Sequence, residues 1–282
     1  MSGGHQGRNQ AKRNVVKAAS CLALAAALPA QQLSPQTERE FECFVQSAEA
    51  RLAARPSFLL ADSDSAMNDR LVRDQQIQTV PAGGANPRKI SGGQIYDWIG
   101  TVFIPGSTLE RTVQMLKDYD HRAQYFPDVL SSSKLLCRTG ENHFHFVMRL
   151  KEPAVIDTEN DVVWERVDQH RWRCHSYSTN VHEIGKDHGY LLRLYSYWRF
   201  SEGEKGVYVE GETVTLSREF SGFTRALGSM IGISPEKSLR RSLASMKESV
   251  LKPGLQFAPP PPGITECGSP FHPGGCEATG QK

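Results

Sequence analysis

The sequence predicts an α+β fold: one antiparallel sheet wrapped around a long C-terminal helix, with an extra helix near the N-terminus. Three observations carry this. Alternating, aromatic-rich segments run from about Ile90 to Arg218. The links between them are short, which favours antiparallel pairing. An amphipathic segment then runs from Ser234 to about Leu251. A single sheet closed by one helix makes a cup, and a cup suggests a binding protein for an apolar small molecule.

The elements follow in order. Ser34 before Pro35 is a helix start, with Phe41, Phe44, Val45, Ala48 and Leu52 at helical spacing and Pro56 as the stop. This helix presents one apolar face to a partner surface. Ser57 to Lys89 reads as a connector, with a short helix near Met67 to Arg73 and a loop through Pro81, Gly83, Gly84 and Pro87. The main domain begins with a strand inside residues 92–106, where Tyr96, Trp98, Val102 and Ile104 share one side and Asp97 the other. Ser107 and Glu110 have capping-box spacing, and Leu109, Val113 and Leu116 form the stripe of the helix that follows. A short helical turn over Asp118 to Phe126 precedes Pro127. Further strands are expected at Ser133–Cys137, Phe144–Leu150, Val155–Trp164, Trp172–Glu183, Leu191–Phe200 and Val207–Arg218. The closing helix sets Leu239, Leu243, Met246 and Val250 on one face, with Lys237, Arg240, Arg241 and Lys247 elsewhere. Residues 253–282, rich in proline and glycine, read as a disordered tail. The expected organisation is therefore a leader at 1–30, a helix and connector at 31–89, a ligand-binding domain at 90–252, and the tail.

Composition narrows the function. The 282 residues carry 33 basic and 31 acidic side chains, interspersed, so the basic footprint of a nucleic-acid binder is missing. Lys12, Arg13 and Lys17 followed by uncharged Ala18 to Ala30 match the basic and apolar regions of a secretory signal, with cleavage expected after Ala27 or Ala30. The expectation is export, to a periplasm or to the medium. Cys21 would leave with the leader; Cys267 and Cys276 could close a small loop, and Cys43, Cys137 and Cys174 read as buried thiols. No nucleotide cofactor is expected, because Gly83-Gly84 and Gly92-Gly93 form neither a dinucleotide fingerprint nor a P-loop. Gly222, Gly228 and Gly232 punctuate the link before the closing helix, as a hinge at the cavity mouth or a plain tight loop.

Several local motifs carry a resemblance. Asp118-Tyr119-Asp120, Tyr125-Phe126-Pro127-Asp128-Val129 and Ser133-Lys134-Leu135-Leu136 follow a helix ending in an acidic and aromatic turn. Tyr195-Ser196-Tyr197-Trp198-Arg199-Phe200 and Val207-Tyr208-Val209-Glu210 look like a last long hairpin. In this order they resemble the START and polyketide-cyclase-type helix-grip superfamily (SRPBCC), over about Ile90 to Lys252. The resemblance implies a START-like domain enclosing a cavity between sheet and closing helix. It also implies a lipid, sterol, quinone or polyketide as ligand, and with a lipid a transient membrane contact. The superfamily has no universal catalytic motif to carry over, and some members are cyclases or hydrolases.

Candidate site residues follow from the faces. Tyr96, Trp98, Phe144, Phe146, Met148, Trp164, Trp172, Leu194, Trp198, Phe200, Leu239, Leu243 and Met246 are the expected cavity lining, and the alternative is that they fill a solid core as an interaction module would. In the last hairpin, a turn over Ser201 to Gly206 puts Tyr197 opposite Glu210 and Tyr195 opposite Glu212, with Arg193 and Arg199 on the same face. Burial favours turning the other face inward and leaving this one in water. Turned inward, Arg199, Tyr195, Tyr197 and Glu210 would form the catalytic set of a cyclase- or hydratase-like enzyme. His143 and His145 share a strand face opposite Phe144 and Phe146, pointing to solvent, and no metal site is expected there.

Overall fold

The structure, a computed structural model, describes residues 33–219, 234–260 and 271–274. The expected leader, Cys21, Gly222, Gly228, Gly232, Cys267 and Cys276 lie outside the described residues.

Helix α1 (Pro35–Ala54) is capped by Ser34, whose hydroxyl accepts from the Thr37 amide, and α2 (Ser65–Val72) is capped by Asp64 in the same way. Two short strands follow, β1 (Gln78–Pro81) and β2 (Arg88–Ile90), where the sequence suggests only a loop. Both pair with β3 (Gly93–Pro105) at the sheet edge, where a proline is tolerated. Helix α3 (Leu109–Lys117) starts one residue later than expected: Thr108, not Ser107, caps the Arg111 amide. A 3-10 turn and α4 (Arg122–Tyr125) lead into β4 (Leu130–Arg138), β5 (His143–Leu150), β6 (Ile156–Asp168), β7 (Arg171–Glu183), β8 (Arg193–Gly203), β9 (Gly206–Ser217) and the closing helix α5 (Pro235–Leu251). The nine strands of the described residues form one antiparallel sheet in the order β1-β3-β9-β8-β7-β6-β5-β4, with β2 beside β3. This is an α+β arrangement with α5 on the concave face and α1 on the other. No helix among the described residues is long and apolar enough to cross a membrane.

The sheet is a middle layer buried on both sides. Its concave face packs Val102, Ile104, Phe144, Phe146, Trp164, Phe200 and Val209 with Leu239, Leu243 and Met246 of α5. The convex face packs Ile95, Tyr177, Tyr195, Val214 and Leu216 against Phe41, Val45 and Ala48 of α1. Close approach at two places depends on glycine. A Cβ on Gly100 would lie 2.7 Å from a Leu243 methyl, and one on Gly211 would lie 2.4 Å from the Trp198 ring. Gly100 thus seats α5 on β3, and Gly211 leaves room for the Trp198 indole to lie across β9.

Two expectations are corrected here. Cys43 and Cys137 are disulfide-bonded, and among the described residues only Cys174 is a buried free thiol. The described residues of the expected disordered tail pack on the domain: Phe257 meets Tyr125 edge-on at 5.2 Å, and Phe271 packs on Tyr177 and Tyr195 of the convex face. Buried aromatic rings supply the contact energy that a proline-rich composition conceals.

A cavity between the sheet and the closing helix

The concave side of the sheet and α5 enclose a cavity of about 440 Å³. Alternation on each strand decides its wall. With β8 and β9 paired Trp198 to Gly211 and Phe200 to Val209, the even residues of β8 and the odd residues of β9 face inward. Tyr96, Phe146, Met148, Trp164, Leu194, Trp198, Phe200, Leu239 and Met246 of the expected lining lie on the wall. The other four do not. Leu243 is spent on Gly100, and Phe144 is fully buried beside the Tyr119 ring at 5.1 Å. Trp172 meets Trp164 edge-on at 6.3 Å, and Trp98 packs half-buried against the concave core.

Sequence reasoning missed two charged wall residues: Glu152, which accepts from Arg241 at 2.7 Å, and Arg122 on α4. Its guanidinium donates twice to the Leu116 carbonyl, at 3.1 and 2.6 Å, and lies over the rings of Tyr119 (4.4 Å) and Phe146 (4.7 Å). Its partners are a carbonyl and two π faces, and burial holds its pKa below the ordinary value. Nearby, the Cys174 thiol also lines the wall, pushed up to about 12 by burial and therefore a neutral, inert group. Behind it the Lys117 ammonium sits 4.3 Å from the Trp172 ring centre, its pKa pushed down to about 8 by burial. The arginine-aromatic pairing was beyond reach of the sequence, since Arg122 reads as one more polar residue in a short turn.

The Arg/Tyr/Glu face of the last hairpin points away from the cavity and is not in water either. The turn is tighter than expected, closing Gly203 on Gly206, so Tyr197 pairs with Glu212 and Arg199 with Glu210. A shift of two residues keeps every side chain on its face. Tyr195, Tyr197, Arg199 and Glu210 are buried or half-buried beneath α1 and its connector. Glu210 accepts from Arg55 at 2.5 Å and from the Leu60 amide at 2.7 Å. Arg199 donates to the carbonyls of Leu52 and Phe58, both at 2.8 Å. The hydroxyls of Tyr177 and Tyr197 both donate to Glu49 Oε1, and Phe41 meets the Tyr195 ring edge-on at 5.2 Å. Arg51 pairs with both Asp97 and Glu212. Glu212, 2% exposed, is pushed up to about 7 by burial and by the neighbouring Asp97, whose own pKa is raised by burial. These residues fasten α1 to the sheet and do not meet the cavity.

His143 also departs from expectation. It is buried, with Nε2 2.5 Å from Asp161 Oδ1, and Asp161 Oδ2 accepts from the Phe271 amide at 2.8 Å. The sequence hides the acid because it comes from the neighbouring strand. Among the described residues no three His, Cys, Asp or Glu side chains converge as a metal site would require.

No protein-family model matches the sequence, and no curated protein matches it. Solved structures do. The STAR-related lipid transfer protein of Xanthomonas axonopodis is 13% identical over 60% of this chain and 98% of its own, with a TM-score of 0.44. An aromatase/cyclase from Streptomyces sp. R1128 is 10% identical over 55% and 93%, at 0.43. Human StAR-related lipid transfer protein 5 is 10% identical over 73% and 95%, at 0.40. Likeness at this level concerns the arrangement of sheet and helix and assigns no ligand or reaction. STAR-related lipid transfer proteins, a START superfamily protein and an aromatase/cyclase are thus among the structural neighbours of this chain.

Proposed function

We propose that this protein is an exported small-molecule-binding protein that holds a lipid, quinone or other largely apolar ligand between the sheet and α5. The observation that carries the reading is the cavity itself, about 440 Å³ and walled by aromatic and aliphatic side chains from both layers. That volume falls within the roughly 300–1,000 Å³ of small-molecule sites. Apolar ligand surface buried there contributes about 25 cal/mol per Å² before ordering costs. A solid-core interaction module does not fit a space of this size. The four residues of the enzymatic alternative lie across the sheet from it, beneath α1, which favours a holder over that catalyst. Export is supported by the basic and apolar pattern of residues 1–30 and by disulfide-bonded Cys43 and Cys137, since disulfides persist in oxidising compartments.

Native mass spectrometry of protein purified gently from its host tests the binding reading, with extraction and identification of whatever dissociates on denaturation. A lipid-like adduct is the expected result, and a bare chain that also takes up no lipid or quinone on incubation would overturn it. For export, a new N-terminus after Ala27 or Ala30 on extracytoplasmic protein is expected, and an intact leader on soluble intracellular protein would contradict it.

A further inference from the structure

The wall of the cavity is not uniform. Its floor carries a strip of hydroxyls in strand register: Ser176 pairs with Ser196 across β7 and β8, and Ser196 with Thr213 across β8 and β9. Thr215 and Ser217 continue the strip along β9, and all five line the cavity. Sheet geometry spaces them roughly 5 Å apart across strands and roughly 7 Å along β9, with Thr213 at the corner.

A hydroxyl strip is unusual furniture for a site meant only for hydrocarbon. Each buried hydroxyl loses water and recovers nothing unless a partner replaces it. Ser196 accepts from the Trp198 indole at 3.1 Å and keeps its own proton to donate. Thr215 Oγ1 and Ser217 Oγ are buried with no hydrogen-bond partner among the described residues, and Ser217 is only 4% exposed. The rest of the wall is largely apolar, with Leu239 and Met246 of α5 and Phe146 and Met148 of β5, while α5 also brings Ser238 and Ser242, the latter donating its proton to the Ser238 carbonyl at 3.0 Å.

We infer that the natural ligand is amphipathic along its length, with several hydroxyl or carbonyl oxygens on one side and hydrocarbon on the other. The oxygenated side lies on the β7–β8–β9 strip, and the hydrocarbon side lies against Phe146 and Met148 of β5 and Leu239 and Met246 of α5. Hydroxyls both donate and accept, so the strip takes either kind of oxygen. This inference rests on the binding reading and narrows its ligand class.

The test compares hexadecanoate with aleuritate, its trihydroxylated counterpart of equal chain length and the same carboxylate, so that Arg122 meets the same anion in both. Affinities are measured by calorimetry for the wild type and for Thr215→Val combined with Ser217→Ala. The ratio of the two affinities should move by about tenfold toward hexadecanoate in the variant, as loss of one or two ligand hydrogen bonds requires. The same variant should melt no lower than the wild type, because it removes unpartnered hydroxyls with little change in volume. Tight binding of both probes with an unchanged ratio would overturn the strip while leaving the cavity's role intact. Failure of the wild type to bind either probe would count against the binding reading itself, and the inference would fall with it.

Discussion

Glu212→Gln is the perturbation that most sharply probes how α1 is held. Glu212 sits under α1 beside Asp97, with one guanidinium, Arg51, serving both. Its ordinary value is 4.5 and its folded value about 7, with burial as the first cause and Asp97 as the second. Because the folded pKa is the higher, the native state keeps a proton that the unfolded chain has released between these values. The stabilisation is therefore complete below pH 4.5 and is lost as pH rises through 7. At about 1.36 kcal/mol per pH unit the linkage comes to about 3 kcal/mol. Glutamine removes the titration while keeping an acceptor for Arg51. Urea unfolding from pH 5 to 8 should show wild-type stability falling relative to the variant, with the variant the more stable of the two at pH 8. Taking the difference between the proteins cancels groups common to both, such as His175, whose burial-lowered pKa acts in the opposite sense over the same range. Parallel profiles from pH 5 to 8 would refute the reasoning, since they would mean that Glu212 is ionised throughout.

Three other outcomes are expected. Phe41→Ala should cost about 3–5 kcal/mol by emptying the α1 contact with Tyr195, and hydrogen exchange should show α1 amides losing protection before the β5–β7 amides do. Gly211→Ala should destabilise by about 1–3 kcal/mol and alter the tryptophan emission spectrum, because its methyl displaces the Trp198 ring; an unchanged spectrum and melting point would contradict that packing. Trp198→Ala with Met246→Ala should weaken binding of a hydrophobic ligand at least tenfold in a calorimetric titration, and an unchanged affinity would place the ligand elsewhere.

Much of the fold was legible because alternation and helix caps are local. Ser34-Pro35 and Ser234-Pro235 mark the starts of α1 and α5, and the inward choice of Trp198 and Phe200 follows from burial alone. The hairpin register was not legible to within two residues, since Glu202 to Gly206 offers several turns and only the Gly203–Gly206 closure fixes Arg199 against Glu210. Strands β1 and β2 were hidden by Pro81, Pro87 and the glycines between them. The largest gap was the convex face. Arginines, tyrosines and glutamates on a strand read as a wetted surface, and nothing local tells that Arg51 and Arg55, some 150 residues earlier, are spaced to reach Glu212 and Glu210. The cavity wall was legible where residues face inward by parity. It failed for Leu243, whose direction is set by Gly100, and for Arg122, whose role depends on two rings brought to it by the fold.

Filling the cavity tests the central claim most directly. Met246→Trp places an indole in the space between α5 and the sheet, and the variant is titrated with hexadecanoate beside the wild type, with circular dichroism to confirm that both are folded. The account predicts saturable binding by the wild type and its loss in the folded variant. Equal binding by both proteins would contradict it.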